Sequence, residues 1–390
     1  MGSIFPKKHY FWGIQSPKDM IKRELNNAIE SNFGKGKAII IIGPRQVGKT
    51  TLCKNILENK DHLFLDGDDP TVRNILTNPN TEQLKSIIAN HKVIFIDEAQ
   101  RIENIGLTLK IITDQFKDVQ ILASGSSAFE INNKLNEPLT GRKWEYKLFP
   151  ISWRELENDI GYLKSEQQLD LRLLYGFYPD VINNPGDEIE VLKQLVSSYL
   201  YKDILSYSGI RKPEILEKIL KALALQLGNE VSYNELAQLI GVDKKTINSY
   251  IDLLVQGYVI FKLPSFSRNL RNEIKTNQKI YFYDTGVRNM LIGNFTPLEN
   301  RIDKGAIWEN FLIAERIKNL NYQSSLANSY FWRTKQQQEI DYIEEESGIV
   351  TGYEFKWNPI AKTKIHKSFI EAYDSTIKVI NRSNFREFLK

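Results

Sequence analysis

The nine residues Gly43-Pro44-Arg45-Gln46-Val47-Gly48-Lys49-Thr50-Thr51 constrain this chain more than any other stretch. They carry the pattern Gly-x4-Gly-Lys-Thr between the apolar run at 38–42 and a helix-like segment, the context in which such a loop cradles phosphate. Glycines let the backbone wrap closely around phosphate oxygens with its N–H groups turned inward. The following helix presents its positive amino end to the same anion. Lys49 is therefore expected to neutralise the β- and γ-phosphates of ATP, and Thr50 to ligate Mg²⁺.

A second segment completes that expectation. The run at 93–96 is apolar and ends in Asp97-Glu98. Asp97 is expected to hold the hydrated Mg²⁺ and Glu98 to orient and activate the attacking water, which points to hydrolysis. The next run, 120–123, leads into Ser124-Gly125-Ser126, where either serine can sense the γ-phosphate. The sequence does not choose between them, and Ser126 is counted among the expected nucleotide-binding residues. Arg142 is a candidate arginine finger, acting within the chain or from a neighbouring subunit of a homo-oligomer.

Short apolar runs at 38–42, 63–65, 93–96 and 120–123 alternate with amphipathic stretches, the pattern of an α/β parallel sheet covered on both faces. From about 169 to 227 the spacing becomes helical. Ser232-Tyr233-Asn234-Glu235 then reads as a capping box, and Asp243 caps a second helix after Gly241. Strand-like stretches at 258–262 and 279–283 follow, completing a winged-helix pattern. The end of the chain reads helix, strand, strand, helix, strand. With 390 residues, more than one core is expected. The divisions are an ATPase core at 1–165, a helical linker at 166–212, a winged helix at 213–285 and a last α/β domain at 286–390.

Three groups of residues make the chain recognisable. The first comprises residues 43–52, Asp97-Glu98-Ala99-Gln100-Arg101, Gly125-Ser126-Ser127, Gly141-Arg142 and Phe149-Pro150-Ile151-Ser152-Trp153-Arg154-Glu155. The others are Tyr281-Phe282-Tyr283-Asp284-Thr285-Gly286, and Trp332-Arg333-Thr334 with Glu339-Ile340-Asp341-Tyr342. Together they resemble a family of prokaryotic AAA-type ATPases over nearly the whole length. The carboxy-terminal half of that family is a domain of unknown function. The resemblance implies a P-loop NTPase (AAA-like) core, a winged helix and a restriction-endonuclease-like final domain.

Within that final domain Asp341 lies 13 positions before Glu354, and Glu354-Phe355-Lys356 sets a carboxylate and an amine two apart. Residues two apart on a strand share a face, so a hairpin would bring Asp341 beside Glu354. Two carboxylates and a lysine so placed can bind Mg²⁺ or Mn²⁺, activate water and stabilise a phosphorane-like transition state. Glu309, on the preceding helix, adds a further metal-binding carboxylate. The cluster resembles the PD-(D/E)XK nuclease signature, with a spacing like that of archaeal Holliday-junction resolvases. The proline that often precedes the aspartate is absent.

DNA is the expected partner, branched DNA included. Lys244, Lys245, Thr246 and Asn248 open the second helix of the winged-helix pattern, and Arg268, Arg271 and Lys275 fall in the wing. Lys362, Lys364 and Lys367 are candidate phosphate contacts. The expected activity is ATP hydrolysis coupled to metal-dependent DNA cleavage. Its rivals are a nucleotide-dependent switch that binds DNA or a protein, and an oligomeric DNA motor, each with an inactive nuclease-like domain. A single cysteine, Cys53, suits a reducing compartment. The amino terminus lacks the apolar stretch of a secretory signal, and the longest apolar runs are about five residues against the roughly 20 a membrane helix needs. A cytoplasmic location is expected.

Overall fold

The computed structural model describes residues 20–126, 138–198, 212–267, 278–334, 336–361 and 366–390. The first third contains helices α1 (Leu25–Asn32), α2 (Lys49–Leu57), α3 (Pro70–Leu76), α4 (Thr81–Ile88) and α5 (Ile105–Gln115). They surround strands β1 (Ala38–Ile42), β2 (Leu63–Asp66), β3 (Val93–Asp97), β4 (Gln120–Gly125) and β5 (Lys143–Lys147). All pairings are parallel, in the order β2-β3-β4-β1-β5. The three central strands are buried along their whole length, whereas β2 and β5 at the edges mix polar and apolar side chains. That is why the central runs are uninterruptedly apolar. The order places β4 between β1 and β3, so the carboxy ends of all three open into one crevice.

Helices α6 (Trp153–Ile160), α7 (Tyr162–Tyr175), α8 (Pro179–Asn183) and α9 (Glu188–Ser198) follow. Next come α10 (Pro213–Leu225), β6 (Glu230–Val231), α11 (Tyr233–Ile240), α12 (Lys244–Gln256), β7 (Ile260–Pro264) and β8 (Gln278–Phe282). Ser232 accepts the Glu235 N–H to cap α11, Gly241 ends it at φ +80°, and Asp243 accepts the Thr246 N–H to start α12. The small sheet is antiparallel, in the order β6-β8-β7.

The chain closes with α13 (Thr285–Leu291), α14 (Lys304–Tyr322), β9 (Asn328–Arg333), β10 (Glu339–Glu346), β11 (Ile349–Phe355), α15 (Lys367–Tyr373), β12 (Thr376–Ile380) and α16 (Phe385–Phe388). Strands β9, β10 and β11 form an antiparallel meander, and α15 carries the crossover to β12, which pairs parallel with β11. Sequence periodicity missed β9. Its aromatic residues Tyr330, Phe331 and Trp332 do not alternate cleanly with polar ones, because both of its faces are partly covered.

One hydrophobic core runs through all three regions. Its hinge is Trp153, whose ring meets Phe177, Phe311 and Phe385. Helix α14 is the common wall. Its Asn310 bonds both backbone groups of Phe282 on β8, and its Glu315 accepts the Trp153 N–H at 2.5 Å. Among the described residues no helix is long and apolar enough to cross a membrane.

Candidate functional site

The loop Gly43–Gly48 leaves β1 and turns into α2 with Gln46 and Gly48 in the left-handed region. Gly43 has no room for a side chain, since a Cβ there would lie 2.1 Å from the Leu148 carbonyl oxygen. Lys49 is 5% exposed and spans its own loop, donating to the Gly43 and Pro44 carbonyls at 2.9 and 2.8 Å. Burial lowers its ammonium to about 8, with Glu98 and Asp97 pulling the other way. The amine is thus held where phosphate oxygens would take over from carbonyls. Arg45, half-buried, and the exposed Thr51 flank this position.

The tertiary structure assembles the expected partners. The Thr50 hydroxyl donates to Asp97 at 2.8 Å, and the Ser124 hydroxyl bonds the other Asp97 oxygen. A threonine hydroxyl and a carboxylate pre-paired in this way can hold a hydrated Mg²⁺ beside the loop. Glu98 follows in the left-handed region at φ +46°, its carboxylate accepting from Gln100 at 2.5 Å. Ser126 lies at the tip of β4, and its N–H donates to Gln100 at 3.2 Å. Ser124 is therefore committed to Asp97, while the Ser126 hydroxyl is buried with no protein partner among the described residues.

Arg142 is not brought to this crevice within the chain. Its carbonyl accepts the N–H of Ala38, the first residue of β1, and its guanidinium pairs with Asp114 at 2.7 Å. It therefore sits at the amino end of the parallel strands, while the phosphate loop leaves their carboxy ends.

Two features of the crevice escaped the sequence. Arg23 lies beneath the loop, donating to Val47 O at 2.7 Å, Phe149 O at 2.6 Å and Glu155 at 3.1 Å. No local pattern marks it, because its acceptors lie 24, 126 and 132 positions away along the chain. A cavity of about 250 Å³ opens beside Gly48, bounded by Ile21, Thr51, Leu52, Ile151 and Pro179. Its wall mixes the apolar Met20, Ile21, Leu52, Ile151 and Pro179 with Arg23, Thr51 and Asn183, and it abuts the phosphate loop, a setting that suits a nucleobase. A larger cleft of about 570 Å³ runs along β5 and the end of α14, and no phosphate-loop residue lines it.

A second group of charges forms where β8, α14, β10 and β11 meet. The hairpin register pairs Tyr342 with Tyr353, so Asp341 falls beside Glu354. Asp341 accepts the Phe355 N–H at 2.7 Å. Lys356 bonds Glu354 at 2.8 Å and stands 4.0 Å from Asp341. The β9–β10 register slips between Ile340 and Ile343, and such bulges re-aim a side chain. Burial, with Glu309 and Glu354 nearby, raises the Asp341 carboxyl to about 8 against the pull of Lys279 and Lys356.

Lys279, Tyr281 and Glu339 were not anticipated. Lys279 is 1% exposed and reaches from β8 to Glu309 at 3.1 Å and Glu339 at 2.5 Å, while Tyr281 donates to Glu309 at 2.5 Å. Lys279 and Tyr281 lie two apart on one strand, so they share a face, and that alternation was the available signal. Glu309 and Glu339 are consequently tied to an internal cation. Among the described residues no group of three or more His, Cys, Asp or Glu side chains is arranged to hold a metal ion.

Of the expected DNA contacts, Lys244, Lys245 and Asn248 are exposed at the start of α12. Thr246 is occupied in capping, bonded to Asp243 through N–H and hydroxyl, and Asn248 donates to Asp252. Lys367 is exposed. Arg268, Arg271, Lys275, Lys362 and Lys364 lie outside the described residues.

Residues 35–157 match the AAA domain family. Residues 166–298 and 304–387 match two families described only as domains of unknown function, DUF8612 and DUF4143. With the phosphate loop and Asp97 on the carboxy ends of a five-stranded parallel sheet, that match defines an ATPase of the P-loop, AAA type. An uncharacterized protein of Mycobacterium tuberculosis is 28% identical over 340 residues, covering 86% of this chain and 74% of that protein. Another, from Methanocaldococcus jannaschii, is 23% identical over 387 residues, covering 92% and 83%. Among solved structures, a Walker-type ATPase of Pyrococcus abyssi aligns with a TM-score of 0.47 at 17% identity, covering 70% of this chain and 97% of that one. The Thermotoga maritima RuvB Holliday junction branch migration motor aligns with a TM-score of 0.32 at 20% identity, covering 65% and 93%.

Proposed function

We propose that this ATPase works on DNA, and that its carboxy-terminal sheet carries a metal-dependent phosphodiester-cleaving site of the PD-(D/E)XK kind. One observation supports this most: Glu309, Asp341, Glu354 and Lys356 come from three different elements and still meet in one place. The order α14-β9-β10-β11-α15-β12 sets Asp341 on the second strand and Glu354-x-Lys356 on the third. The elements α10, α11, α12 and the β7–β8 pair fit a winged helix that would present Lys244 and Lys245 to phosphates.

The residues fit a divalent cation between Asp341 and Glu354. Asp341 and Glu354 lie side by side on paired strands, with Lys356 2.8 Å from Glu354 and 4.0 Å from Asp341. Mg²⁺ or Mn²⁺ bound there would lower the pKa of a water and offset charge on the phosphorus. Lys356 would hold the attacked phosphate, Glu354 would orient Lys356, and the Phe355 N–H would fix Asp341. At the ATP site Thr50 and Asp97 would hold Mg²⁺, Lys49 would bind the phosphates, and Glu98 would orient the water.

The test incubates the full chain with linear, forked and four-way DNA in Mg²⁺ or Mn²⁺, with and without ATP. Cleavage should disappear in both Asp341→Ala and Lys356→Ala while ATP hydrolysis persists. Absence of cleavage on every substrate, with hydrolysis intact, sinks the nuclease assignment. A second reading, an ATP-driven switch with an inactive site, is favoured by Lys279, which already neutralises Glu309 and Glu339.

A further inference from the structure

Gln100 stands on the short turn Ala99–Arg101 and is 4% exposed. A buried amide needs a partner at each end. Its oxygen accepts the Ser126 N–H at 3.2 Å, and its nitrogen donates to Glu98 at 2.5 Å. The two ends are not interchangeable. A backbone N–H can only donate, so the end at Ser126 has to be the oxygen, and the end at Glu98 then has to be the nitrogen. The tip of β4 thereby fixes the polarity of the bond on the carboxylate.

The surroundings leave Glu98 little other freedom. Its backbone is held at φ +46°, a conformation costly for a side chain with a Cβ. Gly67 packs so closely that a Cβ there would lie 2.5 Å from the Glu98 carbonyl oxygen. With the backbone pinned and one carboxylate oxygen engaged, the other oxygen is aimed by Gln100. The Ser126 hydroxyl, 2% exposed and without a protein partner among the described residues, lies one residue past the end of β4.

We propose that Gln100 is a positioning residue for ATP hydrolysis. It ties the Glu98 carboxylate to the tip of β4, so that the base and the strand that meets the γ-phosphate move as one unit. The inference rests on the reading of Glu98 as the residue that orients water. It assigns Gln100 no contact with nucleotide, so its loss acts on turnover and leaves binding alone.

The variants Gln100→Ala, Gln100→Glu, Glu98→Gln and the double variant Gln100→Ala/Glu98→Gln separate this role from a structural one. Gln100→Glu keeps the acceptor for Ser126 and the side-chain volume but sets a carboxylate against Glu98. If Gln100 only ties the turn to β4, Gln100→Glu hydrolyses ATP like the wild type. If it positions Glu98, kcat falls about 10–100-fold in both single Gln100 variants, the range for partners that orient an active group. The Kd for N-methylanthraniloyl-ADP should stay near wild type, while the melting temperature falls more in Gln100→Glu, which sets a carboxylate against Glu98, than in Gln100→Ala. On the Glu98→Gln background, Gln100→Ala should add no further loss of kcat, because its effect runs through Glu98. Wild-type kcat in Gln100→Glu, or an undiminished loss on that background, overturns the proposal. Equal hydrolysis by Glu98→Gln and the wild type instead withdraws the assignment of Glu98, and with it this inference.

Discussion

Replacing Arg23 with methionine should damage stability and nucleotide binding together, because one guanidinium braces the phosphate loop against the rest of the chain. Arg23 is 5% exposed and the side chain of its partner Glu155 is fully buried. Removing one member of a buried ion pair costs about 3–5 kcal/mol, most of it the stranded charge. Glu155 would keep the Glu24 and Ser152 N–H donors at 2.8 and 2.9 Å, which favours the lower end. The Val47 and Phe149 carbonyls would lose donors at 2.7 and 2.6 Å, which moves it up again. At about 2–4 °C per kcal/mol, the melting temperature should fall by roughly 6–20 °C. Calorimetry of the full chain, with and without ATP, measures this, and the variant should also gain less from added nucleotide because Val47 is part of the loop. Arg23→Lys, which keeps the charge but not the three-way donor geometry, should fall between. A methionine variant that melts within about 2 °C of the wild type and binds nucleotide equally would refute the bracing role.

Three further outcomes follow from the geometry. Gly43→Ala forces a Cβ to 2.1 Å from a backbone oxygen, so nucleotide affinity should collapse. Gly34→Ala has nothing within 4 Å and should cost only about 1–2 kcal/mol for its φ of +77°, which fluorescence titration and melting of the two variants will separate. Lys279→Met strips Glu309 of its cation and leaves Glu339 only Arg333 at 3.6 Å, so it should destabilise more than Lys279→Arg in thermal unfolding. At Asp303, burial pushes the carboxyl up, but hydrogen bonds from Arg301 and Arg288 outweigh it and hold it at about 2. A carboxyl so depressed stabilises the fold above the unfolded value of about 4, and that contribution is lost as pH falls from about 4 to about 2. Asp303→Asn should flatten that part of an acid melting profile.

What the chain shows without its structure is chemistry written in consecutive residues. The phosphate loop, Asp97-Glu98 and the caps at Ser232 and Asp243 depend on backbone spacing within a few positions, so they could be read directly. The hairpin that sets Asp341 beside Glu354 was legible for the same reason, since strand alternation and a short turn are local. Residues joined across long separations were not. Arg23 meets Glu155 from 132 positions away, Gln100 meets Ser126 from 26, and Lys279 meets Glu309 from 30. Arg142 shows the reverse, a residue adjacent in sequence to a recognisable motif that strand direction carries to the far end of the sheet. Sequence alone determined that this chain holds a phosphate-binding ATPase domain, because neighbouring residues are bound to be neighbours in space. Only the packing of α14 between the sheets decided which distant charges share a site, because that depends on how whole elements meet.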